Sequence, residues 1–157
     1  MTAGVRRLGP GEVEAFRAIN QLFGRVFEEP ATFGDAPPRD AYLERLLTDR
    51  NFIALVAERS SRTVGALAAY VLNKYEQERS EVYIYDLAVA ENCRRQGVAT
   101  ALIEALKPIA AEAGAWVIFV QADPPDLPAV ALYDKLGLRE EVLHFDIPVR
   151  TGDSQIS

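Results

Sequence analysis

Residues 81–100, EVYIYDLAVAENCRRQGVAT, set a β-branched and aromatic run directly before a glycine-bearing turn and an apolar helical pattern. Val82 to Val89 predicts a strand. Arg94-Arg95-Gln96-Gly97-Val98-Ala99 then runs straight into the helix. The first N–H groups of a helix have no internal acceptor, and the helix dipole favours negative charge beside them. Gly97 and Ala99 lack bulk, so an anion can approach the main chain. Arg94 and Arg95 add positive charge, with Gln96 and Thr100 alongside. Taken alone, the same hexapeptide serves equally well as an ordinary solvated strand-to-helix turn.

The remainder of the chain bounds the possibilities. Its 157 residues suit one domain with a sizeable core, and 49% hydrophobic with 25% charged residues is an ordinary globular composition. No apolar run approaches the roughly 20 residues of a membrane span, and the N-terminus lacks the layout of a secretory leader. A cytoplasmic protein is expected. One cysteine, Cys93, excludes an internal disulfide framework, and one histidine, His144, leaves no Cys/His cluster for a metal. A net charge of −6 argues against nucleic acid and permits a cationic ligand.

In chain order, Val5–Leu8 predicts a short strand. Pro10 suits the first turn of a helix carrying Val13, Phe16, Ile19, Phe23 and Val26 through Phe27. Residues 28–38 predict a loop and 39–47 a short helix. Residues 52–58 and 63–72 predict strands joined by the turn Ser60-Ser61-Arg62. A helix from Val98 ends at Gly114, with Pro108 expected to bend it. Trp116–Gln121 predicts a strand buried on both faces, Pro128–Leu136 a helix, and Leu138–Ile147 a last strand. The order β-α-α-β-β-β-α-β-α-β is that of an α/β mixed sheet. The domain is expected over 1–150, with 151–157 a loose tail.

Two further stretches carry chemistry. Pro128 to Leu138, PAVALYDKLGL, offers the phenol Tyr133 on a short helix, able to donate a proton or to serve as a core tyrosine. Asp86 interrupts an apolar strand, where an unpaired carboxylate is costly. Tyr83 and Tyr85 fall on the opposite strand face from it in a regular pleat, unless a bulge changes the alternation.

The L-x-V strand end with R-x-x-G-x-A (87–99) and the A-x-x-x-Y-x-K-x-G-L segment (129–138) together resemble the GCN5-related N-acetyltransferases. The match extends through FIAL (52–55), VGALAAYVL (64–72), RSEVYIYDLAV (79–89), VQAD (120–123) and REEVLHFDI (139–147), which are similar to the aminoglycoside 3-N-acetyltransferases of that type. The resemblance implies a single-domain α/β fold with a mixed sheet, a splayed and bulged central strand, and flanking helices. It implies acetyl-CoA as cosubstrate and no metal. The loop 94–100 would hold the pyrophosphate, and the backbone of Leu87, Ala88 and Val89 would pair with the pantetheine arm. Leu87 or Val89 would offer an N–H to the thioester oxygen.

The same resemblance implies a polycationic aminoglycoside acetylated at its 3-amine, inactivating the antibiotic. Asp86 would act as base and Tyr133 as acid, both substrates being bound together. Tyr85, Asp86, Asp123, Asp126, Glu140 and Glu141 would meet the acceptor. A homodimer is compatible with it. Acetyltransferases for polyamines, other small amines or protein amines remain rivals, as does a non-catalytic acyl-CoA-binding module. Cys93 has no base nearby to make a nucleophile of it.

Overall fold

Five strands, β1 (Gly4–Arg7), β2 (Phe52–Arg59), β3 (Arg62–Asn73), β4 (Ser80–Val89) and β5 (Ala115–Val120), form one sheet in the order β1-β2-β3-β4-β5. This computed structural model describes residues 3–150. The chain comprises two compact units, Met1–Gln121 and Ala122–Ser157. That boundary falls inside the expected 1–150 domain, and the expected tail lies outside the described residues.

In the first unit, β1 to β4 pair antiparallel and β5 joins β4 in parallel. A parallel neighbour requires a crossover, and α4 (Val98–Glu112) provides it. α1 (Val13–Val26) and α3 (Asp40–Thr48) cover one face of the sheet. Phe16, Ile19, Leu22, Phe23, Leu43 and Leu47 pack there on Phe52, Ala54, Val56, Ala66 and Ala88. Ile53, Leu55, Leu67, Val82 and Ile84 alternate to the opposite face, where Leu102 and Leu106 of α4 are also fully buried. Gly65 permits the close approach of α4, since a Cβ there would stand 2.7 Å from Val98 Cγ1. At the other end Ser80 is buried, its Oγ donating to Ala113 O at 2.8 Å and its N–H to Gly114 O at 3.0 Å.

Several boundaries differ from expectation for physical reasons. Pro10 precedes α1 rather than opening it, because Gly11 takes φ +87° and ends the turn before Glu12. The expected loop 28–38 contains a five-residue helix, α2 (Pro30–Gly34), whose Phe33 packs on Phe23 and Phe27. Ser60 and Ser61 both take positive φ, the conformation of a tight hairpin turn. β5 is less buried than its apolar sequence suggests, with Trp116 57% exposed.

The second unit contains one regular element among the described residues, α5 (Leu127–Leu136), with a proline in its first turn. The strand expected at Leu138–Ile147 is not formed. A strand exists only in a ladder, and among the described residues this unit offers the segment no partner strand. Its alternating apolar side chains are exposed instead.

Candidate active site

β4 breaks its own alternation. Ile84 pairs with Ala69 and Asp86 with Ala68, so Tyr85 has no partner and forms a bulge. The expected bulge at Leu87 therefore lies two residues earlier. One consequence concerns the faces. Tyr83 pairs with Tyr70 and Asp86 with Ala68, and residues 68 and 70 share a face of β3. Asp86 thus stands on the same face as Tyr83 and Tyr70, where a regular pleat would have put it opposite.

Asp86 is half-buried there, and burial pushes its carboxyl up to about 6, with the charge of Glu29 adding to the effect. Among the described residues neither a donor nor a cation offsets that cost. Around it the rings of Tyr70 and Tyr85 meet edge-on at 5.9 Å, and those of Tyr83 and Tyr85 at 5.6 Å. Phe119 stacks on Tyr83 at 4.6 Å, and the Tyr83 hydroxyl donates to Gln121 Oε1 at 3.0 Å.

Beyond the bulge the sheet opens. The β4–β5 pairing ends at Ile84 and Val120, which leaves Tyr85–Val89 without a partner on the β5 side. Ala90 N–H donates to Val64 O at 2.8 Å. By the alternation of an antiparallel ladder, Ala88 then also bonds β3, and Leu87 and Val89 direct their N–H groups to the open side. Among the described residues no strand pairs with this edge, so the two donors have no ladder partner there.

α4 begins beside this strand end. Gly97 takes φ +79°, and no side chain caps the helix. The N–H groups of Val98, Ala99 and Thr100 therefore lack intrahelical acceptors. A Cβ on Gly97 would meet nothing within 4 Å, so the space above the helix start is open. Arg95 also takes positive φ, at 62°, and Arg94 and Arg95 are exposed. Gln96 is held by Arg59, whose Nη1 donates to Gln96 Oε1 at 2.7 Å. The Nε of Arg59 is buried without an acceptor, an orphaned cationic donor beside the loop. An uncapped helix start with open space and flanking guanidinium groups fits a pyrophosphate. Cys93 is buried next to it, its Sγ 3.4 Å from Asn92 Oδ1 and far from any histidine in sequence.

The second unit holds the other expected groups. Asp126 caps α5, accepting from Ala129 N–H at 3.3 Å, and its own N–H donates to Asp123 O at 2.9 Å. Tyr133 is partly buried, and burial pushes its phenol up to about 12, with Asp126 adding its charge. Glu140 and Glu141 are exposed, Glu141 lying 3.7 Å from Arg139. Arg139 is fixed more closely by Asp134.

Sequence reasoning missed three residues of the first unit. Tyr70 carried a signal, as the one aromatic ring in the run 64–72. Glu29 and Arg59 carried none, because each acts through a neighbour distant in sequence. Among the described residues no group of three or more His, Cys, Asp or Glu is placed to hold a metal ion.

Comparison with known proteins is consistent with this geometry. Residues 16–138 match the Acetyltransferase (GNAT) family. A crystal structure of an aminoglycoside acetyltransferase, HMB0005, from an uncultured soil metagenomic sample is 56% identical with a TM-score of 0.93, over 96% of this chain and 100% of that one. Another from such a sample, meta-AAC0020 in complex with sisomicin, is 34% identical with a TM-score of 0.87, over 95% of this chain and 97% of that one. N-acetyltransferase 8B of Rattus norvegicus is 27% identical over 63% of this chain, which spans only 45% of that relative's length. The open strand edge, the uncapped start of α4 and these matches converge on one conclusion: the chain belongs to the GNAT acetyltransferase family and is an acetyl-CoA-dependent acetyltransferase.

Proposed function

We propose that this protein is an aminoglycoside 3-N-acetyltransferase, acetylating the 3-amine of the 2-deoxystreptamine ring and so inactivating the antibiotic. The observation that carries the reading is the placement of Asp86. A half-buried carboxylate, without a cation or donor of its own among the described residues, stands on an aromatic face directly before the strand edge of β4 that β5 leaves unpaired. Such a group calls for a cationic partner. An aminoglycoside is a polycation, and the two solved relatives named for aminoglycoside acetylation support the choice.

Acetyl-CoA supplies the activated acetyl group as a thioester. Arg94, Arg95, Gln96, Gly97 and the N–H groups of Val98, Ala99 and Thr100 would hold its pyrophosphate, and Leu87, Ala88 and Val89 its pantetheine arm. Asp86 would bind the acceptor ammonium and take its proton, directly or through water, because a protonated amine cannot attack. The N–H of Leu87 or Val89 would donate to the thioester oxygen as charge develops on it. Tyr133 would donate to the departing sulfur. A phenol raised to about 12 is fully protonated at neutral pH and so ready to donate, but it is a weak acid. Its contribution is chiefly a hydrogen bond that strengthens as the thiolate forms.

Direct transfer in a ternary complex follows, since no base flanks Cys93 to support an acetyl-enzyme. Tyr85, Asp123, Asp126, Glu140 and Glu141 complete the proposed acceptor contacts. We also place the protein in the cytoplasm. A homodimer belongs to the same reading, because exposed Leu143, Phe145 and Ile147 form an apolar run that gains from cover. Thiol release from acetyl-CoA with a panel of aminoglycosides, polyamines and simple amines tests the substrate class. Turnover confined to polyamines would overturn it.

A further inference from the structure

The tyrosines on the Asp86 face carry a property that the proton-transfer role of Asp86 does not require. Tyr70 and Tyr85 are 41% and 62% exposed, and their rings meet at 90°, forming a corner with two π surfaces. The corner is rigidly backed. Phe52 packs on Tyr70 at 5.5 Å and itself stacks on buried Phe16 at 5.6 Å. On the other side Tyr83 contacts Tyr85 and stacks on Phe119. A continuous series of rings therefore leads from the core to this corner, so both exposed tyrosines are held in place without a ligand.

The electrostatics of the corner are one-sided. Asp86 lies close enough to raise the phenols of both Tyr70 and Tyr83, although burial is the larger cause for each. Glu29 acts on Asp86 in turn. Tyr42, which also acts on Tyr70, already carries the guanidinium of Arg45 over its ring at 5.4 Å. Among the described residues the cation–π contacts are that one and Arg79 over Trp116, so the rings of Tyr70 and Tyr85 hold no protein cation. Two π faces beside the Asp86 carboxylate, with no cation over either ring among the described residues, make a site complementary to an ammonium group.

We propose that Tyr70 and Tyr85 form an ammonium-binding corner over Asp86, which recognises the cation by its charge against the rings and not only by its N–H donors. This deepens the proposed function, because it rests on the acceptor being an amine and names the residues that select charged amino groups over sugar hydroxyls. A prediction separates it from simple salt bridging. The corner should bind a quaternary ammonium, which has no proton to give to Asp86 and cannot be acetylated.

The test is a titration of the intact protein with choline and with its neutral isostere 3,3-dimethylbutanol, followed by NMR or calorimetry. Choline should bind at least about 10-fold more tightly than the isostere. Tyr70→Leu and Tyr85→Leu should each weaken choline about 3–30-fold, while Tyr70→Phe and Tyr85→Phe keep it near the parent value, since phenylalanine preserves the ring face. Equal affinity for choline and the isostere in the parent protein would overturn the proposal without any variant having to fold. So would leucine variants that bind choline as the parent does. Because the titration involves no turnover, its result is independent of which amine the enzyme acetylates. Conversely, acetylation at a different position would leave the corner standing.

Discussion

Asp86 and Tyr83 lie on the same face of the sheet although they stand an odd three positions apart, because Tyr85 is bulged out of the β3–β4 ladder between them. The bulge turns one carboxylate toward an aromatic surface and coincides with the end of the β4–β5 pairing at Ile84. A single irregularity thereby sets the proposed base next to the free strand edge that would receive the thioester.

The first expectation concerns pH. Asp86 can accept a proton only when ionised, and its carboxyl stands at about 6 in the free protein. The pH profile of kcat/KM should therefore fall on the acid side near pH 6. A bound ammonium stabilises the carboxylate, so the corresponding limb in kcat should lie at lower pH. Asp86→Asn should remove the limb and lower kcat about 10²–10⁴-fold, with acetyl-CoA binding near normal.

The same residue makes a prediction about stability, with the opposite sign. A carboxyl whose folded value is raised from 3.8 to about 6 favours the folded state below pH 3.8, and that contribution is lost as the pH rises through 6. Asparagine carries no charge to desolvate. Asp86→Asn should therefore melt above the parent protein at pH 8, with the difference shrinking toward pH 4. A variant that melts below the parent at pH 8 would show that the carboxylate is stabilised by a partner.

At the start of α4, Gly97 combines φ +79° with open space above it. Gly97→Val should lower stability by about 1–2 kcal/mol through backbone strain alone. It should also weaken acetyl-CoA by an order of magnitude or more, read by calorimetry, because its side chain enters the space assigned to the pyrophosphate. Unchanged cofactor affinity would remove the loop from the binding site.

Tyr133→Phe removes the phenolic proton and little volume. Turnover should fall about 10²-fold, the lower end for a general acid, since a phenol near 12 is a weak proton donor. KM for the acceptor should barely change. Full activity would make Tyr133 a packing residue of α5.

Asp86 and the loop 94–100 were legible in the sequence because each violates a local rule: a charge in an apolar strand, and a glycine where a helix starts. The position of the bulge was not legible. A bulge is a mismatch between two strands, and β4 alone does not reveal that Ala68 and Ala69 skip Tyr85. Tyr70 was marked only as the one aromatic ring in the run 64–72, and its place opposite Tyr83 shows only once the ladder is paired. The expected strand at 138–147 failed in the converse way. Leu143, Phe145 and Ile147 alternate as a strand requires, yet alternation supplies only a face, and the segment has no ladder partner among the described residues of its unit. Arg59 and Glu29 act through Gln96 and Asp86, each far away in sequence, and nothing in their own neighbourhoods marks them.

The central claim is that Asp86 deprotonates the 3-amine of an aminoglycoside. The most direct measurement is NMR of the product formed from sisomicin and acetyl-CoA by the parent protein, alongside Asp86→Asn under the same conditions. The account predicts one acetyl group, on the 3-nitrogen of the 2-deoxystreptamine ring, and a nearly silent variant. Acetylation of a different amine, or a variant as active as the parent, would contradict it.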